Sequence, residues 1–138
     1  YKSKSYDGRT SLRFMGIDTP ETDHDKKKGQ PYGNEASEFL KKYVADGKWD
    51  KDIQDGVTKI VGTDTYGRKL FYNPRYIESA VESGMAWFRP EGARQAGMSP
   101  EDINRIKQKY HKAKANKVGL WGGDKIVDPA AHRKTWDK

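Results

Sequence analysis

The sequence predicts an α+β domain: a few short strands forming a small mixed barrel or sheet, with three helices packed on it. Three observations point there. Apolar residues form strand-like stretches at 11–17, 57–62 and 68–73, and recur at helical spacing in three other segments. Strands and helices do not alternate as βαβ units. Only 33% of the 138 residues are hydrophobic, which suits one small core and a single domain over 1–138.

Residues 1–10 are polar, with a turn signal at Asp7-Gly8. In "SLRFMGI" (11–17), Leu12 and Phe14 fall on one face of a strand and Arg13 and Met15 on the other. Residues 18–33 are a loop rich in Asp, Lys, Gly and Pro. Asn34 can cap a helix running to about Val44, whose stripe is Ala36, Phe39, Leu40, Tyr43 and Val44. Residues 45–56 are ambiguous. "VTKIVG" (57–62) and "RKLFYN" (68–73) read as strands joined by the turn "TDTYG". Asn73-Pro74 starts a second helix that ends at Gly84, and Ser99-Pro100 starts a third that Gly119 stops. Residues 123–138 read as a polar tail.

Charged residues make up 34% of the chain and the formal net charge is +7, a balance that favours a polyanionic partner. No apolar run approaches the ~18 residues of a membrane span. The absence of cysteine excludes disulfides, thiolate metal sites and cysteine nucleophiles. No signal peptide is visible. Tyr1 is not an initiator methionine, so the chain is expected to be processed, trimmed or incomplete at its start.

The chemistry concentrates in "FMGIDTPETDHDKKKG" (14–29), where an apolar run stops on Asp18, Thr19, Pro20 and Glu21. Pro20 pushes Thr19 to an extended conformation, which can turn its carbonyl toward whatever Asp18 binds. A carboxylate with a carbonyl suits Ca²⁺ or Mg²⁺ rather than zinc. Taken alone, the tetrapeptide reads more readily as a solvated turn. Arg13 and Arg68 add two guanidinium forks of the kind that grip phosphate oxygens. Two arginines with two carboxylates fit phosphodiester chemistry.

Four motifs in order carry a resemblance. "LRFMGIDTPE" is similar to an Arg-x4-Asp-Thr-Pro-Glu signature, "YGNEASEFLKKYV" (32–44) to a first helix, and "TDTYGR" (63–68) to an Asp-x-Tyr-Gly-Arg turn. "ESGMAW" (82–87) with "VGLW" (118–121) is similar to the later helix ends. From about Arg13 to Trp121 the chain resembles the staphylococcal nuclease family. The resemblance implies an OB-fold, a five-stranded barrel capped by three helices. It also implies hydrolysis of DNA and RNA, dependent on one Ca²⁺ ion, at the 5′ P–O bond to leave 3′-phosphates. Carried over by position, Asp18 would bind calcium by its carboxylate and Thr19 by its carbonyl. Glu21 would activate the attacking water. Arg13 and Arg68 would hold the phosphate. Tyr66 and one of Lys27 and Lys28 would contact the substrate. Trp87 would either stack on it or sit in the core. The family also implies a bacterial protein, secreted or attached to the cell envelope, with no membrane span and no obligate protein partner.

The chain departs from the family pattern upstream. Another calcium-binding aspartate is expected on a first strand, yet only twelve residues precede Arg13, and "YDGRT" (6–10) has Arg9 where that aspartate should be. The first strand is therefore expected to be missing from this chain. That would leave an open barrel edge, which a second copy could fill to make a dimer. The missing charge also keeps a second reading in view: a catalytically impaired module that binds single strands. Residues 13 and 18 differ by an odd number, so a straight strand would point them to opposite faces. An irregularity near Gly16 is expected. Lys107, Lys109, Lys112, Lys114 and Lys117 make the third helix basic, and His24, His111 and His132 read as surface residues.

Overall fold

The computed structural model describes residues 13–19, 33–63, 69–123, 126, 128, 129 and 131. The described elements run β1 (Arg13–Phe14), β2 (Ile17–Asp18), α1 (Gly33–Ala45), α2 (Lys48–Gln54), β3 (Lys59–Thr63), β4 (Lys69–Tyr72), α3 (Pro74–Glu82), β5 (Trp87–Phe88), α4 (Pro90–Gln95) and α5 (Pro100–Ala115). A 3₁₀ turn over Gly119–Gly122 follows.

The expected α+β class stands, and among the described residues the strands form no closed barrel. The five described strands lie in two separate sheets, one ordered β1-β4-β3 and the other β2-β5. In the first, β1 runs parallel to β4 with Arg13 opposite Leu70. There β3 runs antiparallel to β4, with an irregularity between Ile60 and Gly62. In the second, β2 and β5 are antiparallel, pairing Ile17 with Phe88 and Asp18 with Trp87. The stretch read as one strand over 11–17 is thus two strands, and the chain changes sheets at Met15 and Gly16.

That change of sheet has a local cause. Gly16 has φ +95°, a conformation that disfavours any side chain. On one side of it the Met15 N–H donates to Phe71 O at 2.8 Å, which keeps β1 on β4. On the other, Gly16 O accepts from Arg89 N–H at 2.7 Å, which starts the pairing with β5. A Cβ at Gly16 would sit 3.0 Å from Ile77 Cδ1 and 3.1 Å from Ala93 Cβ, so α3 and α4 press on the kink.

The helices begin largely where the caps were read. Asn73 Oδ1 accepts from Tyr76 N–H at 3.0 Å with Pro74 in the first turn, and Ser99 Oγ accepts from Asp102 N–H at 3.2 Å with Pro100 following. The first helix starts at Gly33, so Asn34 lies inside it. Five helices are described rather than three. The added ones are α2, within the ambiguous 45–56 segment, and α4. Among the described residues no helix is long and apolar enough to cross a membrane.

The main core gathers Ile17, Tyr43, Trp49, Tyr76, Ile77, Val81, Phe88 and Ile106. Phe14 reaches it from β1, its ring 4.8 Å from that of Tyr76 and 5.9 Å from that of Trp49. A smaller cluster of Trp87, Ala113, Leu120 and Trp121 lies at the end of α5. Among the described residues one carboxylate is buried. Asp52, 2% exposed, accepts from Tyr43 Oη, from Asn73 Nδ2 at 2.9 Å and from Arg75 Nη1 at 3.1 Å. Burial and this bond to Asp52 push the Tyr43 hydroxyl well above the ordinary tyrosine range. The network ties α1, α2 and the start of α3 together.

Candidate functional site

The kink brings the two ends of the predicted strand to one place. Arg13 leaves β1 and Asp18 leaves β2, and Arg13 Nη1 lies 3.8 Å from Asp18 Oδ1. Five residues apart on a flat strand they would face opposite ways. The turn at Gly16 removes that obstacle.

A third residue, which the sequence did not reveal, joins these two. Arg89 Nη2 donates to Asp18 Oδ2 at 3.3 Å and to Asp128 Oδ1 at 2.7 Å. Asp18 is therefore bracketed by two guanidinium groups, one on each carboxylate oxygen, and its side chain is only 14% exposed. Burial works against the Arg89 charge. Asp128 and Asp18 more than offset it, and they hold the Arg89 pKa above its ordinary value.

The placement of Arg89 is fixed by its neighbours. Trp87 and Phe88 are buried in β5, and Pro90 opens α4 immediately after. The Arg89 backbone is bonded to Gly16, and a Cβ on Gly92 would meet Gly16 N at 3.2 Å. The first turn of α4 thus rests on the kink itself. An arginine between a buried aromatic pair and a proline was the available signal in "AWFRPEG". For Asp128, in a stretch that reads as polar tail, there was none.

Of the other residues singled out from the sequence, Thr19 is described and partly exposed next to Asp18. Trp87 is 8% exposed and packs edge-on against Trp121 at 5.0 Å, so little of its ring is open to a ligand. Glu21, Lys27, Lys28, Tyr66 and Arg68 lie outside the described residues. Among the described residues no group of three or more acidic or histidine side chains is arranged to hold a metal ion. Asp18 and the Thr19 carbonyl are hard oxygen donors, the type that Ca²⁺ takes. They are two of the six to eight oxygens such an ion uses.

Residues 11–123 match the model of the family described as staphylococcal nuclease homologue, and the chain belongs to that family. It is 31% identical over 122 residues to the thermonuclease of Staphylococcus hyicus, covering 80% of this chain and 62% of that protein. It is 30% identical over 128 residues to the probable endonuclease LCL3 of Pyricularia oryzae, covering 86% of this chain and 46% of the relative. Against the SPbeta prophage-derived endonuclease YokF of Bacillus subtilis it is also 30% identical over 128 residues, with 89% and 40% covered. The chain spans roughly half the length of these curated relatives. They come from fungi as well as bacteria, so the similarity does not support the expected bacterial source.

Proposed function

We propose that this chain is a phosphodiesterase that cleaves DNA and RNA at the 5′ P–O bond, leaving 3′-phosphates, with one bound Ca²⁺. The observation that supports this reading best is the meeting of Arg13 and Asp18 across the Gly16 kink, in a chain of the nuclease homologue family.

In this reading Asp18 and the Thr19 carbonyl hold the calcium, with water and a substrate phosphate supplying the remaining oxygens. The ion, when bound, neutralises charge on the scissile phosphate. Glu21 takes a proton from the attacking water as the bond from phosphorus to the 5′ oxygen breaks. Arg13 and Arg68 hold the phosphate oxygens and stabilise the charge that builds as that oxygen leaves. A partly exposed pair at 3.8 Å, such as Arg13 with Asp18, is worth only about 0–1 kcal/mol. Exchanging it for a phosphate therefore costs little. Tyr66 and one of Lys27 and Lys28 would contact the substrate.

The test is digestion of plasmid DNA and of RNA with Ca²⁺ and then with chelator. Activity that survives chelation removes the metal role. Glu21→Ala and Arg68→Ala should each lose about 10²–10³ in rate while keeping the circular dichroism of the parent. Parental rates in both would refute the site.

A second reading is a module that binds single-stranded nucleic acid without cutting it. One observation favours it: Asp18 is already engaged by two arginines, and among the described residues it belongs to no group of three or more acidic or histidine side chains that could hold a metal ion. Salt-dependent binding of single strands with no cleavage under any divalent ion would select it.

A further inference from the structure

The basic charge of α5 is divided into two faces with different surroundings. Arg105 and Lys109, four residues apart, turn toward α3. Arg105 Nη2 donates to Glu78 Oε1 at 2.9 Å and Lys109 Nζ donates to Glu78 Oε2 at 2.6 Å. Lys109 also reaches Glu82 at 3.4 Å. This face is neutralised and holds the two helices together.

Lys107, His111 and Lys114 follow the i, i+4, i+7 spacing of another face, and all three are exposed. Among the described residues no carboxylate forms an ion pair with Lys107, Lys112, Lys114 or Lys117. The chain from Lys107 to Gly123 contains five lysines and neither Asp nor Glu. Compensation of the helix dipole accounts for lysines in the last turn, but Lys107 lies two turns upstream of it.

The position of this second face matters. It borders Tyr110, whose ring lies 5.7 Å from that of Trp121 and 6.3 Å from that of Phe88. Lys114 Nζ sits 5.0 Å above the Tyr110 ring and 5.1 Å above the Trp121 ring. Trp121 packs on Trp87, and Trp87 is the cross-strand partner of Asp18. The stripe Lys107–His111–Lys114 therefore lies on the side of α5 that joins the aromatic cluster behind β5. The neutralised face lies on the α3 side.

We propose that the stripe Lys107–His111–Lys114 is a second phosphate-contact surface, which grips a nucleic-acid strand beyond the linkage held at Asp18 and Arg13. It rests on the nucleic-acid reading above and adds to it a substrate class: long strands are held more tightly than short ones. Contacts of this kind are sequence-independent and release counterions, so their signature is the salt dependence of binding.

The experiment measures binding of a fluorescently labelled single-stranded oligodeoxynucleotide by anisotropy, in chelator, across a salt series. It compares the parent, the Lys107→Gln/Lys114→Gln double variant, and a Lys42→Gln/Lys48→Gln variant that removes the same charge from α1 and α2. The stripe variant should lose about 1.4 from the slope of log affinity against log salt, ~0.7 for each contact with a single strand. The control should keep the parental slope. Hydrolysis of a small nitrophenyl phosphodiester with Ca²⁺ should be unchanged in the stripe variant. Equal slopes in the stripe and control variants overturn the proposal. So does a parent that binds phosphatidylserine vesicles but not the oligonucleotide. A parent that cannot hydrolyse the small diester, with the slope difference intact, counts against hydrolysis and still supports the surface.

Discussion

Asp52 and Asp18 are both carboxylates with more than one cationic or donor neighbour, yet their environments differ. Asp52 is enclosed: one oxygen serves Tyr43 and Asn73 and the other serves Arg75. Replacing it by Ala leaves the buried Tyr43 hydroxyl and one N–H of the Asn73 amide without an acceptor, each worth about 1–3 kcal/mol, while the amide keeps its bond to Thr58 Oγ1 at 3.1 Å. The Arg75 side chain, 51% exposed, can turn to water. Asp52→Ala should therefore destabilise the fold by on the order of 3 kcal/mol in urea unfolding, and Asp52→Asn by less because it keeps an acceptor. Equal stability of Asp52→Ala and the parent would contradict the network. Asp18 lies at the surface end of β2 between two arginines. Sequence marked Asp18 because its motif is contiguous. It could not mark Arg89, 71 residues away, or the bond from Arg89 to Asp128, 39 residues further on. Such pairs are created by the packing of α4 on the kink, and no local pattern encodes them.

At the scale of the element, what was legible was what is local. The caps of α3 and α5 are bonds from a side chain to a backbone N–H three residues on, so four residues of sequence contain them. The two helices that were not foreseen are seven and six residues long, too short for a helical stripe to show. Neither has a capping side chain at its start: Gly47 and Arg89 stand there. Two predictions belong to this scale. Gly16→Ala combines a backbone conformation that costs about 1–3 kcal/mol for a non-glycine residue with contacts at 3.0 and 3.1 Å. It should lower the melting temperature and disturb the site together, read by calorimetry and by cleavage rate. The second concerns the α3–α5 contact. Arg105, and then Lys109, hold the Glu78 carboxyl below its ordinary value of 4.5. A depressed acid contributes its full stabilisation above the unfolded value. That contribution is lost as pH falls from 4.5 through the folded value. Over that acid window the parent should lose more unfolding free energy than Glu78→Gln. Parallel pH profiles for the two proteins would dismiss the linkage.

Across the whole molecule, charge is sorted rather than spread. The acids of α3 neutralise Arg105 and Lys109 on one side of α5, and the same helix carries Lys107 and Lys114 on the side nearer β5. The net charge of +7 could be read from composition, but this division could not. It depends on which helix lies against which. Sheet closure is likewise not legible locally, because it requires pairings between distant strands; the described strands pair as three and two.

The turn at Gly16 has a consequence for which changes this chain can tolerate. Along a pleated strand, side chains keep time like a two-beat measure, and the inverted glycine drops one beat between Phe14 and Ile17. The guanidinium and the carboxylate meet because the rhythm is broken once. Inserting or deleting a single residue in that interval would shift the phase again. Every chemically important group would still be in the chain, but Arg13 and Asp18 would be out of step. The spacing of this segment is thus as much a part of the site as the identity of its residues.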